Sequence, residues 1–310
     1  MHDRSNVHHL ERPTGLREWL WRLRYTLARR VVQLAILAGF IGTAHWGWRL
    51  FGKPLLSGDL SASRIADFIP LSDPFALLQK LCAGLLPEAP LLVGALVVLA
   101  FYWIAGGRSF CAWVCPMNMV TDAADSLRTT IGLKTDWLRL NHRVRYGVAA
   151  GVLIASAATG TAAFEWLSPQ AVLWREAVWG LSLAGAAVIL GIFALDLLMV
   201  RRGWCGHLCP LGAFWSCVGK TSLTRVRFDE SRCTRCGDCL AVCPEPQVIS
   251  FKDAARRGSF TGAECTLCGR CIAICPEDAL SIGIRPLKHT APLPSNTESN
   301  APKNTKGENS

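Results

Sequence analysis

Two short runs of the sequence are dense in cysteine. CTRCGDCLAVCP begins at Cys233 and CTLCGRCIAICP begins at Cys265, and each run separates its four cysteines by two, two and three residues before a proline. This spacing is typical of bacterial ferredoxins with two [4Fe–4S] clusters, in which three cysteines of one run and the fourth of the other bind each cluster. The predicted ligands are Cys233, Cys236, Cys239 and Cys275 for cluster 1, and Cys265, Cys268, Cys271 and Cys243 for cluster 2.

Structural zinc is the alternative use of so many thiolates. Zinc ribbons use two separated cysteine pairs, whereas these eight cysteines have a duplicated spacing that ends in proline. Disulfide frameworks suit short secreted chains, and this chain has 310 residues. Iron–sulfur clusters, and with them single-electron transfer, are therefore the prediction for both runs.

A second repeated motif lies earlier in the chain. RSFCAWVCPMN (108–118) and RGWCGHLCPLG (202–212) share an arginine, an aromatic residue, a Cys-x-x-x-Cys pair and a proline. Residues i and i+4 of a helix share one face, so each pair could present two sulfurs in one direction. Two interpretations stay open: a four-thiolate redox or metal site, or buried thiols that pack a tight turn. The cysteines concerned are Cys111, Cys115, Cys205 and Cys209.

Composition indicates the kind of protein that holds these motifs. The chain is 51% hydrophobic and only 18% charged, with a mean hydropathy of +0.26, which is typical of a membrane protein. Four apolar segments each approach the ~20 residues that a helix needs to cross the hydrocarbon layer. We predict helices because lipid offers the backbone no hydrogen-bond partners. The segments are 31–48, 85–105, 144–167 and 177–200.

The net charge of +10 is unevenly distributed along the chain. Basic residues gather before the first apolar segment and between the second and third, so the positive-inside rule predicts a multi-pass membrane protein with both termini in the cytoplasm. The bases lie beside apolar runs, and no nucleic-acid partner is therefore expected. Arg29-Arg30 could instead belong to an export signal, but three apolar segments follow and no cleavage site is evident.

These patterns together predict an α-helical membrane protein with four transmembrane helices and a small C-terminal α+β domain of the two-cluster ferredoxin type. The C-terminal domain is too short to bury much apolar surface, so bound clusters must help to hold it together. The predicted divisions are a basic cytoplasmic segment (1–30), a four-helix membrane domain with both Cys-x-x-x-Cys-Pro motifs (31–222), the ferredoxin domain (223–288) and a disordered tail (289–310).

Several stretches in this order resemble the NapH and MauN family of membrane-bound ferredoxin-type proteins, namely IPLSDPFALLQKL, CAWVCPMNMVTD, DLLMVRRGWCGHLCPLGAF and CTRCGDCLAVCPEP. The resemblance covers about residues 29–284 and includes every cysteine of the motifs. It implies two [4Fe–4S] clusters, quinol as a substrate in the membrane lipid, and a NapG-like iron–sulfur protein or other redox partner. Electrons would pass towards a periplasmic oxidoreductase system, in nitrate reduction or methylamine utilisation.

Two functional hypotheses follow, and they differ in the direction of electron flow. In the first, quinol supplies electrons through the clusters to a periplasmic enzyme system. In the second, the protein is a redox-supply or maturation protein that moves cytoplasmic electrons across the membrane to a periplasmic enzyme's cofactor or disulfides. A third and weaker interpretation gives the clusters a structural role in an assembly anchor. Whether the chain is a quinol dehydrogenase subunit or an electron carrier stays open, because potentials depend on the surroundings of each cluster.

Overall fold

The computed structural model describes residues 15–133, 137–138 and 140–285; the predicted tail (289–310) and the first 14 residues of the predicted basic segment lie outside the described residues. Helices make up most of the chain, with small antiparallel sheets. The α-helices are α1 (Leu16–Trp46), α2 (Pro74–Cys82), α3 (Ala89–Ala105), α4 (Ser109–Trp113), α5 (Met117–Ile131), α6 (Val144–Thr159), α7 (Ala163–Leu167), α8 (Pro169–Trp179), α9 (Leu183–Ala194), α10 (Pro210–Gly219), α11 (Asp238–Val242), α12 (Phe251–Arg257) and α13 (Arg270–Ile274). The strands are β1 (Arg49–Leu50), β2 (Lys53–Pro54), β3 (Leu56–Gly58), β4 (Ala62–Ile65), β5 (Ile69–Ser72), β6 (Thr224–Phe228) and β7 (Leu280–Ile284).

Helix α1 is longer than the first predicted apolar segment. It has 31 residues, which corresponds to about 46 Å at 1.5 Å per residue. By length and composition its part Trp19–Trp46 could cross a membrane, and among the described residues it is the one helix that meets that criterion. The helix begins before the apolar segment because its first turns pack against the C-terminal part of the chain through Tyr25. It ends at Gly47, whose φ of 63° places it in the left-handed region.

The other predicted spans are shorter helices in the structure. They are apolar but have fewer than 18 residues: Ala89–Ala105, Val144–Thr159 and Leu183–Met199. The predicted segment 144–167 is divided between α6 and α7 because Gly160 caps α6 with a φ of 68°. The predicted segment 177–200 starts inside α8 and continues as α9 after a break at Gly180. The structure thus has the four apolar helices, whereas four membrane crossings remain a proposal.

A small β region connects α1 to α2. Strands β1 and β2 form a hairpin, and β3, β4 and β5 form an antiparallel sheet in that order. Asp73 then caps α2 by accepting a hydrogen bond from the backbone N–H of Phe75 at 2.9 Å, and Pro74 takes the first position of the helix, where it loses no hydrogen bond. The region closes one end of the helical part.

The C-terminal part is built around a two-stranded antiparallel sheet. Strand β6 pairs with β7 from Thr224 opposite Ile284 to Phe228 opposite Leu280. Short helices lie between the two strands, and their apolar side chains form a single core with Val226 and Phe228. The sheet adjoins the end of α3, because Leu223 donates a backbone hydrogen bond to the Trp103 carbonyl at 3.1 Å. This α+β arrangement agrees with the expected ferredoxin-type architecture.

Candidate metal centres

The eight ferredoxin-type cysteines surround two separate cavities. Cys233, Cys236, Cys239 and Cys275 line one cavity. Cys243, Cys265, Cys268 and Cys271 line the other. The structure therefore gathers the same two sets of four that the spacing predicts, with Cys243 and Cys275 each reaching across to the cavity of the other run.

The two cysteine runs fold in the same way. Arg235 and Leu267 occupy the same place between the first two cysteines of each run, and both have positive φ angles, 58° and 51°. Gly237 and Gly269 precede α11 and α13 with φ angles of 88° and 75°, a conformation that favours glycine. These left-handed residues turn the backbone sharply, so that the sulfurs on either side of each turn face one cavity.

The last cysteine of each run lies in extended backbone. Cys243 has φ −71° and ψ 129°, and Cys275 has φ −70° and ψ 114°. The proline that follows each of them disfavours the helical conformation at the preceding residue. Each short helix therefore ends at this cysteine, whose sulfur faces the cavity of the other run.

The donor set fits a metal cluster. Burial raises the pKa of Cys239 to about 12 and that of Cys265 to about 11, so these thiols are protonated at neutral pH until a metal centre displaces the proton. Among the residues that the structure describes, no three His, Cys, Asp or Glu side chains meet closely enough to hold one metal ion. Sulfurs that are set apart in this way suit a cubane, because each cysteine binds a different iron.

The two Cys-x-x-x-Cys-Pro motifs share an unusual backbone turn. The N–H of Cys115 bonds to the Phe110 carbonyl at 3.0 Å, and the N–H of Cys209 bonds to the Trp204 carbonyl at 2.9 Å. Both are i to i−5 hydrogen bonds of the π type rather than the expected i to i−4 bonds of an α-helix. In the second motif Pro210 begins the next helix, and Cys209 caps it through a bond from the Gly212 N–H to its Sγ.

The four cysteines of these motifs come together. Burial raises the pKa of Cys115, and the neighbouring sulfurs of Cys111 and Cys209 raise it further. The pKa of Cys209 is raised to about 11 by burial and by Cys111. Cys205 has Cys209 and Cys115 among the charges that act on it. None of these cysteines forms a disulfide, so the quartet is a group of four neighbouring free thiols, no three of which meet closely enough to hold one metal ion.

The arginine of the first motif ties this quartet to the C-terminal part. Arg108 is 2% exposed and donates to the Glu245 carboxylate at 2.8 Å, to the Glu264 carbonyl at 3.1 Å and to the Cys205 carbonyl at 3.1 Å. Burial alone would raise the pKa of Glu245, but Arg108 and Arg145 hold it below its usual range. The charged carboxylate of Glu245 therefore stays paired at a fully buried contact.

The arginine of the second motif makes the complementary contact. Arg202 bonds to Asp122 at 2.5 Å and to Asp125 at 3.2 Å, and both carboxylates lie on α5, which follows the first motif. Arg108 thus contacts Cys205 of the second motif, and Arg202 contacts the helix that follows the first motif. The sequence predicts no role for either arginine, although their identical position before each cysteine pair is a signal that they act alike.

A third cavity lies where these parts meet. It is lined by Cys111 and Cys205 of the quartet on one side and by Cys268 of the second ferredoxin cavity on the other. Trp113, between the cysteines of the first motif, donates a hydrogen bond to the Leu267 carbonyl at 3.1 Å. The quartet and the second ferredoxin cavity are therefore neighbours.

Comparison with known proteins supports an iron–sulfur role for both regions. A family model described as a 4Fe-4S dicluster domain matches residues 225–276. A second, described as a 4Fe-4S binding domain, matches residues 89–134 and 180–228, which include both Cys-x-x-x-Cys-Pro motifs. Fold and site together define a ferredoxin-type 4Fe–4S electron-transfer protein.

Relatives of high sequence identity show to which family within this class the chain belongs. The methylamine utilization ferredoxin-type protein MauN of Methylorubrum extorquens is 44% identical over 72% of this chain and 75% of the relative. The ferredoxin-type proteins NapH of Haemophilus influenzae and of Escherichia coli are 40% and 41% identical, each over 74% of this chain and 78% of the relative. The chain belongs to the NapH and MauN family of ferredoxin-type proteins. No solved structure matches the chain.

Proposed function

We propose that this protein transfers electrons from quinol in a bacterial inner membrane to two [4Fe–4S] clusters, and onward to a periplasmic oxidoreductase system. The observation that carries the proposal is the position of the Cys-x-x-x-Cys-Pro quartet, two of whose cysteines, Cys111 and Cys205, line a cavity together with Cys268 of the second ferredoxin site. Apolar helices on one side and a ferredoxin-type domain on the other thus meet at a cluster of free thiols.

The proposed ligands of cluster 1 and cluster 2 are the cysteines that line the two ferredoxin cavities. When bound, each [4Fe–4S] cluster takes up and releases single electrons. The chain supplies the thiolates and a low-dielectric shell, since Cys239, Cys243 and Cys268 are buried. The proposed ferredoxin domain, residues 223–288, places cluster 2 beside the membrane domain (31–222) and cluster 1 further from it.

Oxidation of one quinol to quinone releases two electrons and two protons, whereas each cluster accepts one electron. Two bound clusters would supply one acceptor for each electron, and the protons would pass to water. The proposed role of Cys111, Cys115, Cys205 and Cys209 is to relay the electrons, either one at a time as a further metal site, or as a redox-active pair whose disulfide form accepts two electrons and two protons and is then reoxidised by passing the electrons on. Their position beside cluster 2 supports this role, because electron transfer needs short separations.

The membrane placement is part of the same proposal. In the part of the chain that the structure describes, one helix is long and apolar enough to cross a bilayer, and three shorter apolar helices accompany it. The large apolar residues exposed on α3 and α9, such as Phe101, Ile104 and Leu190, support contact with lipid. We propose four crossings with both termini in the cytoplasm, and a NapG-like iron–sulfur protein as a redox partner. The name of the MauN relatives makes methylamine utilisation an equal candidate for the pathway.

A redox-supply role is the second candidate, in which cytoplasmic electrons enter at cluster 1 and leave through the quartet. It is favoured by the cavity of cluster 1, whose described lining residues all lie between Phe228 and Leu280. A soluble donor could approach this end of the domain without meeting the membrane helices.

One experiment distinguishes the two candidates. The full-length protein in lipid is titrated anaerobically with a reduced quinone analogue while electron paramagnetic resonance follows the clusters. We expect quinol to reduce the clusters in the parent and not in a variant with the four quartet cysteines changed to Ser. The matched control is Cys82→Ser, a change at an exposed cysteine outside every motif. Reduction by a low-potential donor alone would reject the quinol proposal and support the redox-supply role.

A further inference from the structure

The cavity between the quartet and the second ferredoxin site is lined by more basic than acidic side chains. Among the described residues, four arginines line it, and Glu245 is the one carboxylate that does so. The arginines come from distant parts of the chain: Arg29, Arg108, Arg202 and Arg270. Guanidinium groups keep their charge inside proteins, so the cavity is strongly positive.

Three of these arginines have carboxylate partners at close range. Arg108 pairs with Glu245 at 2.8 Å. Arg202 and Arg270 share Asp122, at 2.5 and 2.7 Å. Their charges are therefore partly neutralised by neighbours within the protein.

Arg29 differs from the other three. Its side chain is 1% exposed, and its nearest carboxylate oxygen among the described ion pairs, on Asp122, is 3.7 Å away. Its Nη1 donates to Asn118 at 3.4 Å, while Nε and Nη2 are buried without a hydrogen-bond partner. A buried charge without a close partner is costly unless an opposite charge compensates it.

A bound cluster 2 would supply that opposite charge. Cys268 lines the same cavity as Arg29, and of the thiols Cys268 acts most strongly on Arg29 electrostatically. Once Cys268 is a cluster ligand it is a thiolate, and sulfurs of such clusters accept hydrogen bonds from nearby donors. The free N–H groups of Arg29 are such donors.

The cavity of cluster 2 itself has one charged residue among its described lining residues, Glu245, which pairs with Arg108 at 2.8 Å and with Arg145 at 3.5 Å. The four arginines line the adjoining cavity, which shares Cys268 with it.

The surroundings of cluster 1 differ. Its cavity is lined by Asp238, Glu277 and Arg235. Glu277 is exposed, and the Arg235 side chain is 70% exposed and pairs with Glu230, so water screens both. Asp238 is 1% exposed, and neither of its carboxyl oxygens has a hydrogen-bond partner. Cluster 1 thus has a buried carboxyl group beside it and no buried arginine among the described residues of its cavity.

We propose that cluster 2 has the more positive reduction potential of the two clusters and that Arg29, supplied by α1, sets this difference. Each reduction adds one negative charge to a cluster, which a buried guanidinium stabilises and a buried carboxyl group does not. When the protein holds one electron, that electron should therefore reside on cluster 2, beside the quartet, rather than on cluster 1. This inference rests on the proposed cluster ligands and holds for either direction of electron flow.

The test is a potentiometric titration of the full-length protein in lipid, with the two clusters followed by electron paramagnetic resonance. We expect two separate reduction steps in the parent. Arg29→Gln should shift the more positive step to a more negative potential and leave the other step in place, whereas Arg29→Lys should retain most of the parent value. The control is Arg24→Gln, at a residue of the same helix whose guanidinium group stacks on the Trp21 ring, 3.8 Å from its centroid. This substitution should change neither reduction step.

A second variant keeps Arg29 but offsets its positive charge. Asn118→Asp places a carboxylate beside Arg29 and should lower the same step, even if Arg29→Gln fails to assemble. Iron content per chain is measured in every variant. A single common step in the parent, or no shift of the more positive step in assembled variants, would overturn the inference. Neither result bears on whether quinol is the donor, which the quinol titration decides separately.

Discussion

At the level of single residues, the carboxylate of Asp122 gathers guanidinium groups from three parts of the chain. It is 2.5 Å from Arg30 of α1, 2.5 Å from Arg202 of the second cysteine motif and 2.7 Å from Arg270 of α13. Burial would raise the pKa of Asp122, but Arg202 and Arg270 outweigh burial and hold it well below the usual range. The ion pairs are therefore complete at neutral pH and are lost only as pH falls through that low pKa.

Removing this charge should weaken the contact between the two parts of the molecule. Asp122→Asn keeps the shape of the side chain but leaves the buried guanidinium group of Arg202, and the partly exposed ones of Arg30 and Arg270, facing a neutral amide. Loss of one partner from a buried ion pair costs about 3–5 kcal/mol. We expect the denaturant midpoint for loss of the clusters' visible absorbance to fall accordingly. Asp67→Asn, at an exposed carboxylate that bonds to Ser57, should leave the midpoint unchanged; equal midpoints in both variants would contradict the role of Asp122.

At the level of elements, α1 packs against the start of α13. Gly269 has a φ of 75° and lies directly against the ring of Tyr25, so that a Cβ at this position would collide with the ring. Its counterpart Gly237, before α11, has a φ of 88° and nothing within 4 Å of the corresponding position. The duplicated turns are alike in backbone and differ in what they contact.

This pair provides an internally controlled prediction. Gly237→Ala and Gly269→Ala should each lower the free energy of unfolding by about 1–2 kcal/mol, because alanine is strained in the left-handed conformation. Gly269→Ala should lower stability further, because the methyl group displaces Tyr25 and with it α1. The measurement is the denaturant midpoint of each variant. Tyr25→Ala removes the ring that the new methyl group meets, so combining it with Gly269→Ala should relieve the collision. Equal losses in the two single variants would show that the contact between α1 and α13 contributes nothing.

At the level of the whole molecule, the central question is how the helices lie in the membrane. The proposed topology puts α2, with Cys82 at its end, on the periplasmic side and α10, with Cys217, on the cytoplasmic side. Both thiols are exposed and lie outside every cysteine motif. They are therefore natural reporters of sidedness.

We expect a membrane-impermeant maleimide to label Cys82 in right-side-out vesicles and Cys217 in inside-out vesicles. The label on each residue is located by peptide mass spectrometry, and Cys82→Ser identifies the background. The positive-inside rule is the physical reason, because the basic residues flanking α3 and α6 resist translocation. Labelling of both thiols from the same side would refute four crossings.

The sequence determined the chemistry of the C-terminal domain because its ligands are local. Four cysteines within eleven residues, with glycine and proline at set positions, specify both the turns and the sulfurs they carry. The two cysteine-lined cavities could therefore be predicted from Cys233 to Pro276 alone, whereas the family resemblance also needed the motifs of the apolar part. The apolar helices could be predicted in number, but not their ends, since Gly160 and Gly180 interrupt segments that hydropathy alone treats as continuous.

Only the tertiary structure decided what surrounds each site. Arg29 and Cys268 are far apart in the sequence, and no local pattern predicts that they line one cavity. The same holds for Arg108 with Glu245 and for Arg202 with Asp122, whose pairing depends on how the two cysteine motifs pack against each other. Ligand identity follows from short-range spacing, whereas charge balance, burial and the order of the redox sites depend on contacts between distant segments, which spacing does not encode.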